Sequence, residues 1–214
     1  MSLPMLAISA FIIGLSGAMM PGPVLTYVVD GSLRKGFAAG PLVITGHMFL
    51  ELLLVILLLT GMSSLFASEL FTAVVGIIGG LMLILMALNM LRSSLKKEIS
   101  FENSLDKKEG VTGFILPGAL LSIANPYWIL WWATIGITYL ANAYQRGLIG
   151  TGAFFVGHIS ADYVWYSFIA FIVSRGRKLI SDSIYRKLVV FFALILLYFA
   201  GTFIVDGVLY FWVD

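Results

Sequence analysis

From Gly36 to Gly61 the chain carries no lysine or arginine, and its only carboxylate is Glu51. Such a run is long enough to cross the ~30 Å hydrocarbon core of a bilayer, which takes about 20 apolar residues. Five more stretches qualify, roughly 3–29, 69–91, 111–141, 147–174 and 187–211. The whole chain is 60% hydrophobic and 11% charged, with a mean hydropathy of +1.02. A soluble domain carries about a quarter charged residues, so this one lacks the polar surface to cover a globule. The expected fold is an all-α membrane protein of six transmembrane helices. MSLPMLAISAFIIG has no basic leader, and reads as a retained first helix rather than a cleaved signal.

Charge and cysteine content exclude other classes. There is no cysteine, hence no disulfide, thiolate metal site or thiol relay. The net charge is only +2, and the basic residues flank apolar runs, a pattern of topology and not of nucleic-acid binding. Twelve of the 13 lysines and arginines fall on one side of the expected membrane, from Arg34 and Lys35 through Arg92, Lys96, Lys107 and Arg175 to Arg186 and Lys187; Arg146 alone is opposite. The positive-inside tendency then puts both termini outside the cytoplasm.

The sequence also repeats itself. RKG ends at Gly36 and GH begins at Gly46; QRG ends at Gly147 and GH begins at Gly157. Each GH is followed by an acid at the same spacing, Glu51 after His47 and Asp162 after His158. The first and fourth spans are each interrupted, by Pro21-Gly22-Pro23 and by Asn125-Pro126. The expected organisation is one membrane domain in two three-helix repeats, 1–91 and 111–214, joined by a charged cytoplasmic linker, 92–110. Three spans per repeat make the second enter the membrane in the opposite sense, a common plan among transporters.

His47 and Glu51 are four residues apart, as are His158 and Asp162, so each pair shares a helix face. A charged side chain at mid-membrane costs about 2.5–3.5 kcal/mol on insertion scales. Such groups must pair, face water or bind protons. Burial penalises the charged form of both chemical types, which suits a group that exchanges protons. Glu51, Asp162, His47 and His158 are therefore the candidate proton or ion coupling residues. A staple between helices is the plainer reading of either pair alone. Imidazole nitrogen and carboxylate oxygen also suit Zn²⁺ or Mn²⁺.

The breaks supply a second element. Proline lacks an N–H and strains a helix interior, and it drives the residue before it toward extended backbone. Backbone groups freed at membrane depth are tolerated only beside protein or cavity water. A half-helix starting at Pro23 or Pro126 would turn its positive end to that cavity, where an anion fits. Pro21, Gly22, Pro23, Asn125, Pro126 and Tyr127 are the candidate substrate-binding residues. Glycine spacings at 76–80 and 36–40 allow close helix packing or a homodimer.

MPGPVLTYVVDGSLRKGFAAGPLVITG resembles the N-terminal signature of the lysine-exporter (LysE) family of amino-acid translocators, and IANPYWILWW resembles that family's NP motif. The family commonly has glycine before the acid, where this chain has Leu50, and usually aspartate at the position of Glu51. His47 lies outside its general pattern. The resemblance implies a six-helix exporter of amino acids or close derivatives in the cytoplasmic membrane, driven by the proton gradient. It implies no cofactor and no catalysis; the partners would be a small amino-acid-like substrate, protons and lipid. Two other classes stay open: a divalent-cation exporter using the His/acid cluster, and a membrane protein with a purely structural role.

Overall fold

The computed structural model describes residues 2–20, 22–62, 68–96, 112–176 and 181–212, and among these residues there are helices and no strands. Helix α1 spans Leu3–Ala18 and α2 spans Pro23–Lys35. Helix α3, Ala39–Leu57, runs on into one π-helical turn at Leu58–Met62. Then come α4, Glu69–Leu95, and α5, Thr112–Ile123. Helix α6, Pro126–Trp131, passes through a second π-helical turn, Trp132–Gly136, into α7, Ile137–Tyr144. Last are α8, Gly147–Gly176, and α9, Asp182–Tyr210.

Four helices, α3, α4, α8 and α9, are long and apolar enough to cross a membrane singly. The pair α1 and α2 is bent by 82°, and α5 meets the α6–α7 run at 65°; each pair is jointly long and apolar enough to cross, so the described residues hold up to six spans if each bent pair is one. Side chains such as Ile8, Ile12, Leu85 and Tyr198 are well exposed, as lipid-facing residues must be.

Helices outrun the apolar stretches at several ends. α2 continues to Lys35, α4 to Leu95, and α9 begins at Asp182, so Arg186 and Lys187 are helical. Counting apolar residues marks the bilayer core, whereas backbone hydrogen bonding carries a helix on into the polar zone. Ser68 and Ser181 start α4 and α9 by accepting from the N–H of Phe71 and Ile184. Pro21 and residues 97–111, most of the expected linker, lie outside the described residues.

The tightest packing crosses between the two parts of the chain. α1 lies against α8, α5 against α3, and α4 against α9. Glycine sets the first two contacts. A Cβ at Gly157 would fall 2.2 Å from the Ala7 carbonyl oxygen, one at Gly46 1.7 Å from that of Ile115, and one at Gly118 2.0 Å from that of Val43. The glycine of each GH pair is thus where α3 or α8 touches the backbone of its partner helix. Gly76, Gly80 and Gly207 do the same between α4 and α9, so the 76–80 spacing works within the chain. Gly36 and Gly147, which precede α3 and α8, both have positive φ, 84° and 63°, a region that favours glycine.

Two apolar cores lie along α3 and α8. Val43 and Ile44 join Tyr166 and Ala170 in one; Leu54 and Val55 join Phe154 in the other. The two helices therefore run in opposite directions through the same cores. His47 with Glu51, and His158 with Asp162, fall between them.

Candidate functional site

All four ionisable side chains meet between the two cores. His47 is 8% exposed, Glu51 1%, His158 3% and Asp162 5%. Helical spacing supplies half of this arrangement, putting His47 Nε2 3.1 Å from Glu51 Oε1 on α3. The other half is tertiary. His158 Nε2, from α8, lies 3.1 Å from Glu51 Oε1. It is also 3.0 Å from Oε2, but at an angle that leaves Oε2 without a hydrogen bond.

Glu51 has further partners that were not evident from helix spacing. The indole N–H groups of Trp128 and Trp132 donate to Oε1 at 2.9 and 2.8 Å. These tryptophans are four apart, which puts them on one face of the α6 run, and the π-helical turn starts at Trp132. Gly136 makes room for that ring, since a Cβ there would be 2.5 Å from it. A buried charge is tolerated when its lone pairs are filled, and Glu51 Oε1 is surrounded by nitrogen.

Asp162 is held differently. Its Oδ2 lies 3.9 Å from His47 Nε2 and 4.0 Å from His158 Nε2, and has no hydrogen-bond partner among the described residues. The two histidines also differ. His47 Nδ1 lies 2.7 Å from Ser122 Oγ on α5, and Ser122 also bonds the Gly118 carbonyl at 2.7 Å. His158 stacks on Trp131 and Phe154, with ring centroids 4.6 and 5.9 Å away, and its Nδ1 has no hydrogen-bond partner among the described residues. Gly14 of α1 faces that nitrogen, and a Cβ there would come within 2.9 Å of it.

The cluster borders a cavity with about 580 Å³ of space free of protein atoms, counting its open mouth. Gly22, Asn125, Tyr127 and Trp128 line it together with all four ionisable residues. The two helix breaks also meet there, since a Cβ on Gly22 would lie 3.4 Å from Asn125 Nδ2. Their ends are not alike. Asn125 accepts from the Tyr127 N–H at 3.2 Å and so caps its own helix. Gly22 has no side chain to do so, and α2 starts at Pro23 without a side-chain cap. Pro126 occupies the first turn of α6, where a missing N–H is harmless. Tyr127 presses its ring edge-on against Phe199 and Phe203 of α9, 5.3 and 5.0 Å between centroids, tying the second break to α9.

Ser122, and the bonds of Trp128 and Trp132 to Glu51, were not legible in the sequence. The tryptophan spacing in YWILWW was legible; its acceptor, 77 and 81 residues away, was not. Nothing local marks Ser122.

The family model for LysE type translocators matches residues 15–207, nearly the whole chain, including both breaks and all four cluster residues. The chain belongs to the LysE type translocator family. Neither the curated proteins nor the solved structures yield a match. Membership makes this a multi-pass membrane translocator of small molecules.

Proposed function

We propose that this LysE-type protein is a secondary-active exporter of amino acids or close derivatives across the cytoplasmic membrane, coupled to protons through Glu51, Asp162, His47 and His158. The observation that carries the reading is the junction of two buried acids and two imidazoles with a cavity onto which both helix breaks open. A pocket walled by Trp128, Trp131 and Tyr166 suits an organic molecule with an apolar part. The start of α2 at the cavity wall, uncapped at Gly22, supports an anionic group such as a carboxylate beside it. The opposite run of α3 and α8, and the crossed packing of α1 on α8 and α5 on α3, support two inverted repeats, 1–91 and 111–214. The charge asymmetry supports extracytoplasmic termini.

A divalent-cation exporter is the second reading, because ligand atoms of His47, Glu51 and Asp162 lie within 4.8 Å of one another. Against it, Glu51 Oε1 already accepts from two indole N–H groups, which leaves that carboxylate only Oε2 to offer a metal.

Counterflow in proteoliposomes, run in parallel with a labelled amino-acid pool and with Mn²⁺, separates the readings. Gradient-driven efflux and substrate exchange are then measured on Glu51→Gln and Asp162→Asn. A coupling carboxyl predicts loss of driven efflux with exchange partly retained. Full driven efflux in both variants would sink the relay.

A further inference from the structure

The two GH motifs look equivalent in sequence, but their histidines have unequal room for protons. Each imidazole turns Nε2 to Glu51. The indoles can only donate, which marks Glu51 as the acceptor-only carboxylate, so an imidazole nitrogen turned to it carries a proton. The difference lies in each Nδ1.

At His47, Nδ1 and the Gly118 carbonyl compete for one hydroxyl. Ser122 Oγ is 2.7 Å from both and has a single proton. With one proton on His47, at Nε2, the Ser122 hydroxyl must donate to Nδ1. When Nδ1 takes a second proton, it becomes a donor to Oγ, and the hydroxyl turns to the Gly118 carbonyl. Both states are fully hydrogen-bonded, and the rotation moves no heavy atom. At His158 the corresponding nitrogen faces Gly14 and has no acceptor among the described residues. A second proton there would bury an unpaired N–H against Trp131 and Phe154, and a buried donor left without an acceptor loses its hydration with nothing in return.

We infer that Ser122 is a positioning residue that makes His47, and not His158, the imidazole that takes up and releases a proton in this site. The charged and titratable groups facing His47 are Glu51 on its own helix and Asp162 and His158 on α8; Ser122 faces it from α5, and Trp128 sets its ring edge-on at 6.4 Å. Protonated His47 would be a cation between Glu51 and Asp162, whose Oδ2 otherwise has no partner. Proton uptake and the charge balance beside the cavity are then linked through a single serine. The inference rests on the proton-coupled reading only for its consequence in transport.

The test uses the full-length protein in lipid, with ¹⁵N-labelled histidine rings followed by solid-state NMR as pH is lowered. His158→Gln identifies the His47 signals. Nδ1 of His47 should change from acceptor to donor while that of His158 does not. Ser122→Ala should raise at least tenfold the proton concentration needed, and Ser122→Thr, which keeps the hydroxyl, should restore it. Second protonation at His158 ahead of His47, or an unchanged His47 response in Ser122→Ala, would overturn the assignment. Gradient-driven efflux is measured on the same samples. If the NMR behaves as stated while the pH profile of driven efflux is the same in wild type and Ser122→Ala, the proton site stands and the proton-coupled reading fails.

Discussion

Replacing Gly46 with alanine adds one methyl group where α3 has no room for it. The new Cβ would lie 1.7 Å from the Ile115 carbonyl oxygen and 3.0 Å from the Ala119 nitrogen. Real Cβ contacts essentially never fall under 3.0 Å, so α3 and α5 must separate there by about 1.3 Å. The obstacle is helix backbone, which cannot swing aside as a side chain would. Overpacking of this kind typically costs about 1–3 kcal/mol, and a backbone obstacle puts Gly46→Ala at or above the top of that range. The functional effect is adjacent. His47 reaches from α3 to Ser122 on α5 at 2.7 Å; a separation of about 1.3 Å stretches that bond beyond useful length. The control is Gly152→Ala on α8, where no atom lies within 4 Å of the added Cβ; it should be neutral or gain up to about 1 kcal/mol from helix propensity. The assay is thermal unfolding of the purified variants in one detergent, followed by exchange transport of each in liposomes. Equal stability of Gly46→Ala and Gly152→Ala would refute the backbone contact as the reason for the glycine in GH. Gly157→Ala, 2.2 Å from the Ala7 carbonyl, should behave like Gly46→Ala.

Other expectations concern single contacts. Trp132→Phe removes one charge-assisted donor from Glu51 while keeping most of the ring, and should lower stability by about 1.5–3 kcal/mol, read by thermal unfolding; Glu51→Gln in the same background should make the Trp132 change cheaper, because the two effects share one hydrogen bond. Tyr185→Phe deletes the 2.6 Å hydrogen bond to Asp30, which joins α9 to α2 beside the Asp30–Arg34 ion pair; protease nicking or hydrogen exchange should report a looser start of α9, and unchanged protection would show that the contact is idle. The native chain has no cysteine, so single cysteines report topology cleanly. Gln145→Cys should react with an impermeant thiol reagent added to cells and Lys96→Cys should not; the opposite pattern would invert the proposed orientation.

Several features were decided by local sequence alone. Apolar run length fixes membrane spanning because hydrocarbon offers no partner to backbone N–H and C=O, whatever the neighbours. Spacing of four puts His47 over Glu51, and His158 beside Asp162, because the helix period is a backbone property. Proline and asparagine in Asn125-Pro126 end α5 and start α6 through bonds within three residues. The matched glycines 36 and 147 take positive φ for similarly local reasons.

What the four ionisable groups touch was not local. Glu51 could have faced Asp162 alone; instead two tryptophans about 80 residues away fill Oε1, because α6 is tilted by the bend at Asn125 and its tryptophan face is brought over α3. The helix ends at Ala38 and Asn125 say nothing of which helix α3 will lean on. That is settled where Gly46 and Gly118 let α3 and α5 approach backbone to backbone, which places Ser122 against His47. On the other side Gly157 lets α8 approach α1, but the residue of α1 that faces His158 is Gly14, with no hydroxyl to offer. Periodicity makes the two GH motifs alike; the side chains that packing brings to each Nδ1 make them different.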